Sequence, residues 1–202
     1  MKFITLFFWI WASHACVLAQ TNNAESYLKQ GKEKMGRKEY KRAITDFSIS
    51  LEMELSVEAL TLRASAKSLV EDYVGALADL DDVIRIDSYD PVLYNNRGNV
   101  KDELEREVEA VKDYDKAISL DSVYTTAYYN RGITRFNQTL YEEAKQDFEK
   151  VSRLQAKDAE AMVGIALCLI KLNKKNEACI WLEKAKLINP TLAEEFLKQN
   201  CQ

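Results

Sequence analysis

The chain has 202 residues, 47% of them hydrophobic and 30% charged, with only 6 Gly and 2 Pro to punctuate turns; that balance can bury a core and points to helices. Its formal charge is −4 and no basic face stands out, which argues against nucleic acid as a partner, because phosphate recognition needs clustered Lys and Arg. The only histidine is His14; beyond it the chain lacks the commonest general base and metal ligand, and no cofactor or metal site is expected.

Residues 1–19 differ from everything after them. Lys2 precedes an apolar run from Phe3 to Ala12 that holds Phe7, Phe8, Trp9, Ile10 and Trp11. The run is too short to span a bilayer and has the length of the apolar part of a secretory signal peptide. Val17 and Ala19 stand where a cleavage site before Gln20 needs them, and such a start resembles those of exported bacterial proteins. The expected product is exported, periplasmic or secreted, with no membrane span after signal removal. The alternative is an outer-membrane lipoprotein with a lipid anchor at Cys16. Removal takes Lys2 away, leaving 27 basic against 32 acidic residues.

From Ala24 onward a repeat governs the chain. A small residue recurs at Ala43, Ala76, Ala110, Ala144 and Ala178, at spacings of 33, 34, 34 and 34. Four residues on lie Phe47, Leu80, Tyr114, Phe148 and Leu182, and seven on lie Ser50, Val83, Ala117, Val151 and Ala185. Those offsets place all three columns on one stripe of a second helix. Twelve residues before each Ala stand Gly31, Ala64, Gly98, Gly132 and Ala166, marking a first helix that approaches closely. Tyr40, Tyr73 and Tyr141 fall at the turn between the two, while Pro91 and Pro190 lie near unit ends, where a proline stops a helix.

The motifs YNNRG at Tyr94 to Gly98, YYNRG at Tyr128 to Gly132 and YEEAKQDFEKV at Tyr141 to Val151 resemble the tetratricopeptide repeat (TPR). The resemblance implies an all-α fold, a right-handed α-solenoid superhelix of five TPR helix-turn-helix units plus a C-terminal capping helix. The units run 24–56, 57–90, 91–124, 125–158 and 159–190, and 191–202 is the capping helix. Thr191 and Glu194 are expected to form its capping box. Asn22 and Asn23 can start the first helix. The family's tryptophan is missing from the first helix, and unit three carries Glu107 in place of the turn tyrosine, which predicts the weakest turn there.

Paired changes between repeats predict an ion ladder. Arg63, Arg97 and Arg131 recur on the first helix, Asp79, Asp113 and Asp147 on the second, and all turn apolar in unit five as Ile165 and Trp181. Arg63 is expected to pair with Asp79, Arg97 with Asp113 and Arg131 with Asp147, with Lys67, Lys101 and Arg135 nearby. Cys168 and Cys179 of unit five are read as two buried thiols, or as one short disulfide in an oxidising compartment.

What the resemblance implies about function is the binding of an unidentified protein or peptide along a concave wall of first helices. The residues expected there are Asn95, Asn99, Thr126, Tyr129, Asn130, Ile133, Phe136 and Asn137. The asparagines suit a peptide backbone, and Tyr129 and Phe136 are apolar anchors. The clamp by which some family members hold a C-terminal carboxylate is not expected, because Asn95 stands where its first Lys belongs and Glu160 and Gly164 replace its final basic pair. The alternative function is a structural scaffold subunit of an oligomeric cell-envelope complex. Catalysis is not expected, because the acidic residues recur with the repeat as structural charges do.

Overall fold

A computed structural model describes residues 23–201. The expected signal segment 1–19, with Cys16 and His14, and the starting residue Asn22 lie outside the described residues. The described residues form two compact units, divided between Ser88 and Tyr89. In the first, helices α1 (23–36), α2 (Tyr40–Met53), α3 (Val57–Ser68) and α4 (Tyr73–Ile86) make two antiparallel pairs. The second contains three further pairs and a closing helix. These are α5 (Pro91–Glu103) with α6 (Glu107–Leu120), α7 (Thr125–Asn137) with α8 (Tyr141–Leu154), α9 (Ala159–Lys171) with α10 (Lys175–Ile188), and α11 (Pro190–Asn200). Every regular element among the described residues is a helix, so the fold is an all-α solenoid of helix pairs. None is long and apolar enough to cross a membrane.

Polar side chains fix the starts of first helices. Ser56, Asp90 and Asp158 accept hydrogen bonds from the free N–H groups of Ala59, Val92 and Ala161. Pro91 and Pro190 occupy the first turns of α5 and α11. They therefore open helices rather than stop them, since a first-turn residue has no helical N–H bond to lose. The cap of α11 is Asn189, which accepts from Leu192 N at 3.2 Å, and not Thr191; Pro190 at the first helical position sets the boundary earlier.

Every pair turns in the same way. Lys38, Glu71, Glu105, Thr139 and Asn173 adopt left-handed backbone with φ between 58° and 64°. The next N–H reaches back five residues, from Glu39 to Lys34 O, Asp72 to Lys67 O, Arg106 to Lys101 O, Leu140 to Arg135 O and Lys174 to Leu169 O, at 2.8 to 2.9 Å. This is a Schellman closure built without glycine. Unit three closes as tightly as the others despite Glu107, contrary to the expectation of a weak turn. Backbone bonds hold it, and Arg106 forks onto Glu109 at 2.8 and 2.7 Å beside it.

Within each pair, the small residue of the first helix faces the large residue of the second. A Cβ on Gly31 would sit 2.4 Å from the Phe47 ring, one on Gly98 2.5 Å from Tyr114, and one on Gly132 3.0 Å from Phe148. Where the large residue is Leu80 or Leu182, alanine is accommodated at Ala64 and Ala166, both buried. Glycine thus accompanies an aromatic ring and alanine accompanies leucine.

Beside that contact lies a buried carboxylate. Arg63 donates to Asp79 through Nε (2.9 Å) and Nη2 (2.7 Å), Arg97 to Asp113 at 2.8 and 2.6 Å, and Arg131 to Asp147 at 3.0 and 2.5 Å. A second cation completes each group: Lys67 lies 2.8 Å from Asp79, Lys101 2.6 Å from Asp113 and Arg135 2.8 Å from Asp147. The first pair keeps half of this, with Lys34 2.5 Å from Asp46. In the last pair Ile165 and Leu169 are buried in the core cluster against which Trp181 packs, so apolar burial replaces charge.

A disulfide joins Cys179 of α10 to Cys201, just past α11, with Cα atoms 5.7 Å apart. Cys168 is a buried free thiol, and burial pushes its pKa up to about 12. The Cys168–Cys179 alternative is thereby corrected: α11 folds back along α10 and delivers Cys201 to Cys179.

Four outcomes are expected. Asp113→Asn leaves Arg97 and Lys101 facing a neutral amide and lowers stability in urea by about 3 kcal/mol. Asp115→Asn, which removes only the exposed partner of Arg131, costs under about 1 kcal/mol. Combining Gly31→Ala with Phe47→Leu gives a double variant more stable than the two single losses predict by about 1 kcal/mol or more; simple additivity would disprove the pairing. Reduction, or Cys201→Ser, lowers stability by about 3 kcal/mol and speeds amide hydrogen exchange in α11 first. Unchanged α11 protection would show that packing alone holds that helix.

Candidate functional site

In the second unit the first helices α5 and α7 are neighbours, as are α7 and α9, and α11 packs against α9. Together these helices make one wall with two adjoining clefts. The positions that face the clefts are those left over once each first helix has turned its small residue and its two cations toward its partner helix.

The first cleft, between α5 and α7, has a volume of about 430 Å³ and is polar. Asn130 donates its amide N–H to Asn95 Oδ1 at 3.0 Å and to Asn99 Oδ1 at 2.9 Å, tying adjacent repeats together. The Tyr114 hydroxyl is shared between Asn99 Oδ1 (2.9 Å) and Asp102 Oδ2 (2.7 Å), and Thr134 Oγ1 donates to Asp102 Oδ2 at 2.5 Å. The other Asp102 oxygen is buried without a hydrogen-bond partner in the protein. Burial raises the pKa of Asp102, and the carboxylates of Glu107 and Glu103 push the same way; the Thr134 and Tyr114 hydrogen bonds oppose them. The Tyr114 phenol is raised far above its usual range, by burial first and then by Asp102.

The second cleft, about 340 Å³, is apolar. Tyr129, Ile133 and Phe136 come from α7, Val163 and Leu167 from α9, and Leu192 and Phe196 from α11. Phe148 of α8 reaches its floor because Gly164 has no side chain there; a Cβ would lie 2.9 Å from the ring. Tyr129 packs edge-on against Phe148 at 5.5 Å, and Phe136 against Tyr141 at 5.2 Å. At the rim, burial and Glu160 push the Tyr129 phenol up to about 12. Tyr129 therefore stays neutral and presents its ring.

The expected groove residues divide accordingly. Tyr129, Ile133 and Phe136 line the apolar cleft; Asn99, Asn130, Asn137 and again Ile133 line the polar one. Asn95 is 2% exposed and its oxygen is taken by Asn130, so it braces the wall and does not face a ligand. Thr126, exposed at the start of α7, lines neither cleft. Sequence reasoning missed Leu192 and Phe196. Their i, i+4 spacing on the capping helix is the signal that could have found them, since it sets both on one face. Phe148, one of the repeat column on the second helices, serves both the core and the cleft floor.

The tetratricopeptide repeat model matches residues 92–124, 125–158 and 159–192. A search of curated proteins finds no match to the sequence. Among solved structures, MamA from Desulfovibrio magneticus RS-1 shares the fold with a TM-score of 0.78 at 15% identity, covering 84% of this chain and 96% of that one. YrrB, described as a TPR protein with an unusual peptide-binding site, has a TM-score of 0.73 at 21% identity over 92% and 97% of the two chains. The first TPR of Spaghetti (RPAP3), bound to the HSP90 peptide SRMEEVD, has a TM-score of 0.56 at 29% identity over 58% of this chain and 93% of that one. With three consecutive matched repeats spanning half of its length, on helix pairs that all close by one turn, the chain belongs to the tetratricopeptide-repeat family of protein-interaction modules.

Proposed function

We propose that the chain is a non-catalytic interaction module that takes a peptide or partner segment along the wall of α5, α7, α9 and α11, with an apolar side chain seated in the second cleft. The observation that carries this reading is the open apolar cleft itself, in which Ile133 stays 41% exposed beside partly buried Tyr129 and Phe136. An apolar pocket rimmed by polar groups is the usual form of an anchor site. The peptide sites named for YrrB and for Spaghetti support the same use of the fold. A non-catalytic role is supported by the acidic column, whose members Asp79, Asp113 and Asp147 are each occupied by two cations. Export is supported by the apolar run after Lys2 and by the Cys179–Cys201 bridge, since disulfides persist in oxidising compartments.

The test is selection of binding peptides from a random displayed library, followed by fluorescence polarisation on the full chain. Selected peptides are expected to share an apolar anchor. Ile133→Glu, an exposed position whose change leaves the core intact, is expected to weaken them about 30-fold or more, as does Tyr129→Ala with Phe136→Ala. Peptides that bind every variant equally would remove the groove.

A further inference from the structure

The occupant's chemistry can be read one step further. Resting on the anchor reading above, we infer that the bound segment carries a basic side chain, Lys or Arg, about three residues from its apolar anchor, and that this side chain lies in the cleft of Asp102, Glu103 and Glu107.

The first observation is a charge imbalance. The residues lining the two clefts include four carboxylates, from Asp102, Glu103, Glu107 and Glu160, and no Lys or Arg. The cations of α5 and α7 point elsewhere, because Arg97 and Lys101 are held by Asp113, and Arg131 and Arg135 by Asp147; Lys171 of α9 and Lys198 of α11, the latter 3.5 Å from Glu194, line neither cleft. No cation therefore lines either cleft to offset these carboxylates. A cationic ligand group meets them without displacing an internal partner.

The second observation is that adjacent repeats differ at two neighbouring positions. Position 12 and position 17 of unit four are Phe136 and Tyr141, whose rings pack edge to face. In unit three the same positions are Asp102 and Glu107, which face one cleft and repel each other. The departure from the turn tyrosine thus places a second carboxylate in the groove where the next repeat places a second ring. One repeat supplies an acidic subsite and its neighbour an apolar one.

The third is continuity. Ile133 lines both clefts, so a single extended segment can run from one to the other. Packed helices lie about 8–10 Å apart and an extended chain advances about 3.3 Å per residue, which sets the separation of about three residues. An acidic or carboxylate-ended segment is disfavoured on the same wall. Asp102, desolvated by burial, keeps one oxygen without a hydrogen-bond partner in the protein, and Glu103 and Glu107 already raise its pKa, so a further carboxylate is opposed there and a cation is favoured.

The probes are nine-residue peptides blocked at both ends, each with one Phe and, three positions away on either side, Arg, Ser or Glu. Fluorescence polarisation against the full chain is read at low and at 0.5 M salt. The Arg peptides are expected to bind about ten-fold tighter than the Ser peptides and the Glu peptides weaker still, with the spread collapsing at high salt. Glu103→Gln with Glu107→Gln, both outside the core, should narrow the Arg advantage to about two- or three-fold and leave the Ser peptides unchanged. Ile133→Glu should weaken the Ser peptides. Equal binding of Arg and Ser peptides, or preference for Glu, overturns this inference and leaves the anchor reading standing. Failure of every peptide to bind overturns both.

Discussion

The fold turns on a carboxylate held out of water between two helices. Asp79, Asp113 and Asp147 are 3–4% exposed, and burying such a group is unfavourable unless its lone pairs are met with good geometry. Each repeat meets them with a bidentate arginine and a second cation from one face of the first helix. The residue that supplies the second cation, Lys67, Lys101 or Arg135, also offers its backbone carbonyl to the turn. Ion pairing and helix reversal therefore meet at one position in these repeats, while in the last pair Leu169 closes the same turn without a charge. This has a functional side as well: with the basic residues committed to the seam between helices, the opposite face of the first helices is left to amides, acids and rings.

Much of this was legible in the sequence, because translation from repeat to repeat puts each position into the same surroundings five times. The columns of Ala43, Ala76, Ala110, Ala144 and Ala178, and of Asp79, Asp113 and Asp147, could be seen as columns without coordinates. The match of Gly31 to Phe47 and of Ala64 to Leu80 was present as well, but only the missing space around each glycine shows why. What stayed hidden were features that depend on contacts between repeats or on where a helix ends. Asn95 looks groove-facing from its position, yet its exposure is decided by Asn130 one repeat on. The partner of Cys179 depends on α11 folding back to bring Cys201 within reach, which the spacing of Cys168 and Cys179 does not reveal. The cap at Asn189 was obscured by Thr191, a better-looking signal two residues later.

The candidate site arises where repetition relaxes. Core positions must refit the same neighbours in every copy, whereas positions on the open wall are free to diverge, and they do so in pairs: Asp102 with Glu107, Phe136 with Tyr141. The closing helix adds to this. Capping repeats are needed to cover an apolar end, but Leu192 and Phe196 turn part of that cover into the side of a cleft. The bridge from α10 to Cys201 holds that wall in place.

The five left-handed turn residues carry a different consequence. Lys38, Glu71, Glu105, Thr139 and Asn173 share nothing chemically except a backbone conformation that costs a residue with a side chain about 1–2 kcal/mol, and glycine almost none. Repeat duplication has copied the bend while its occupant drifted. Because none of the five lines either cleft, they form an untapped thermostabilisation reserve: glycine introduced at each, or asparagine at the four that do not already carry it, would harden the scaffold step by step while leaving its recognition surface as it is.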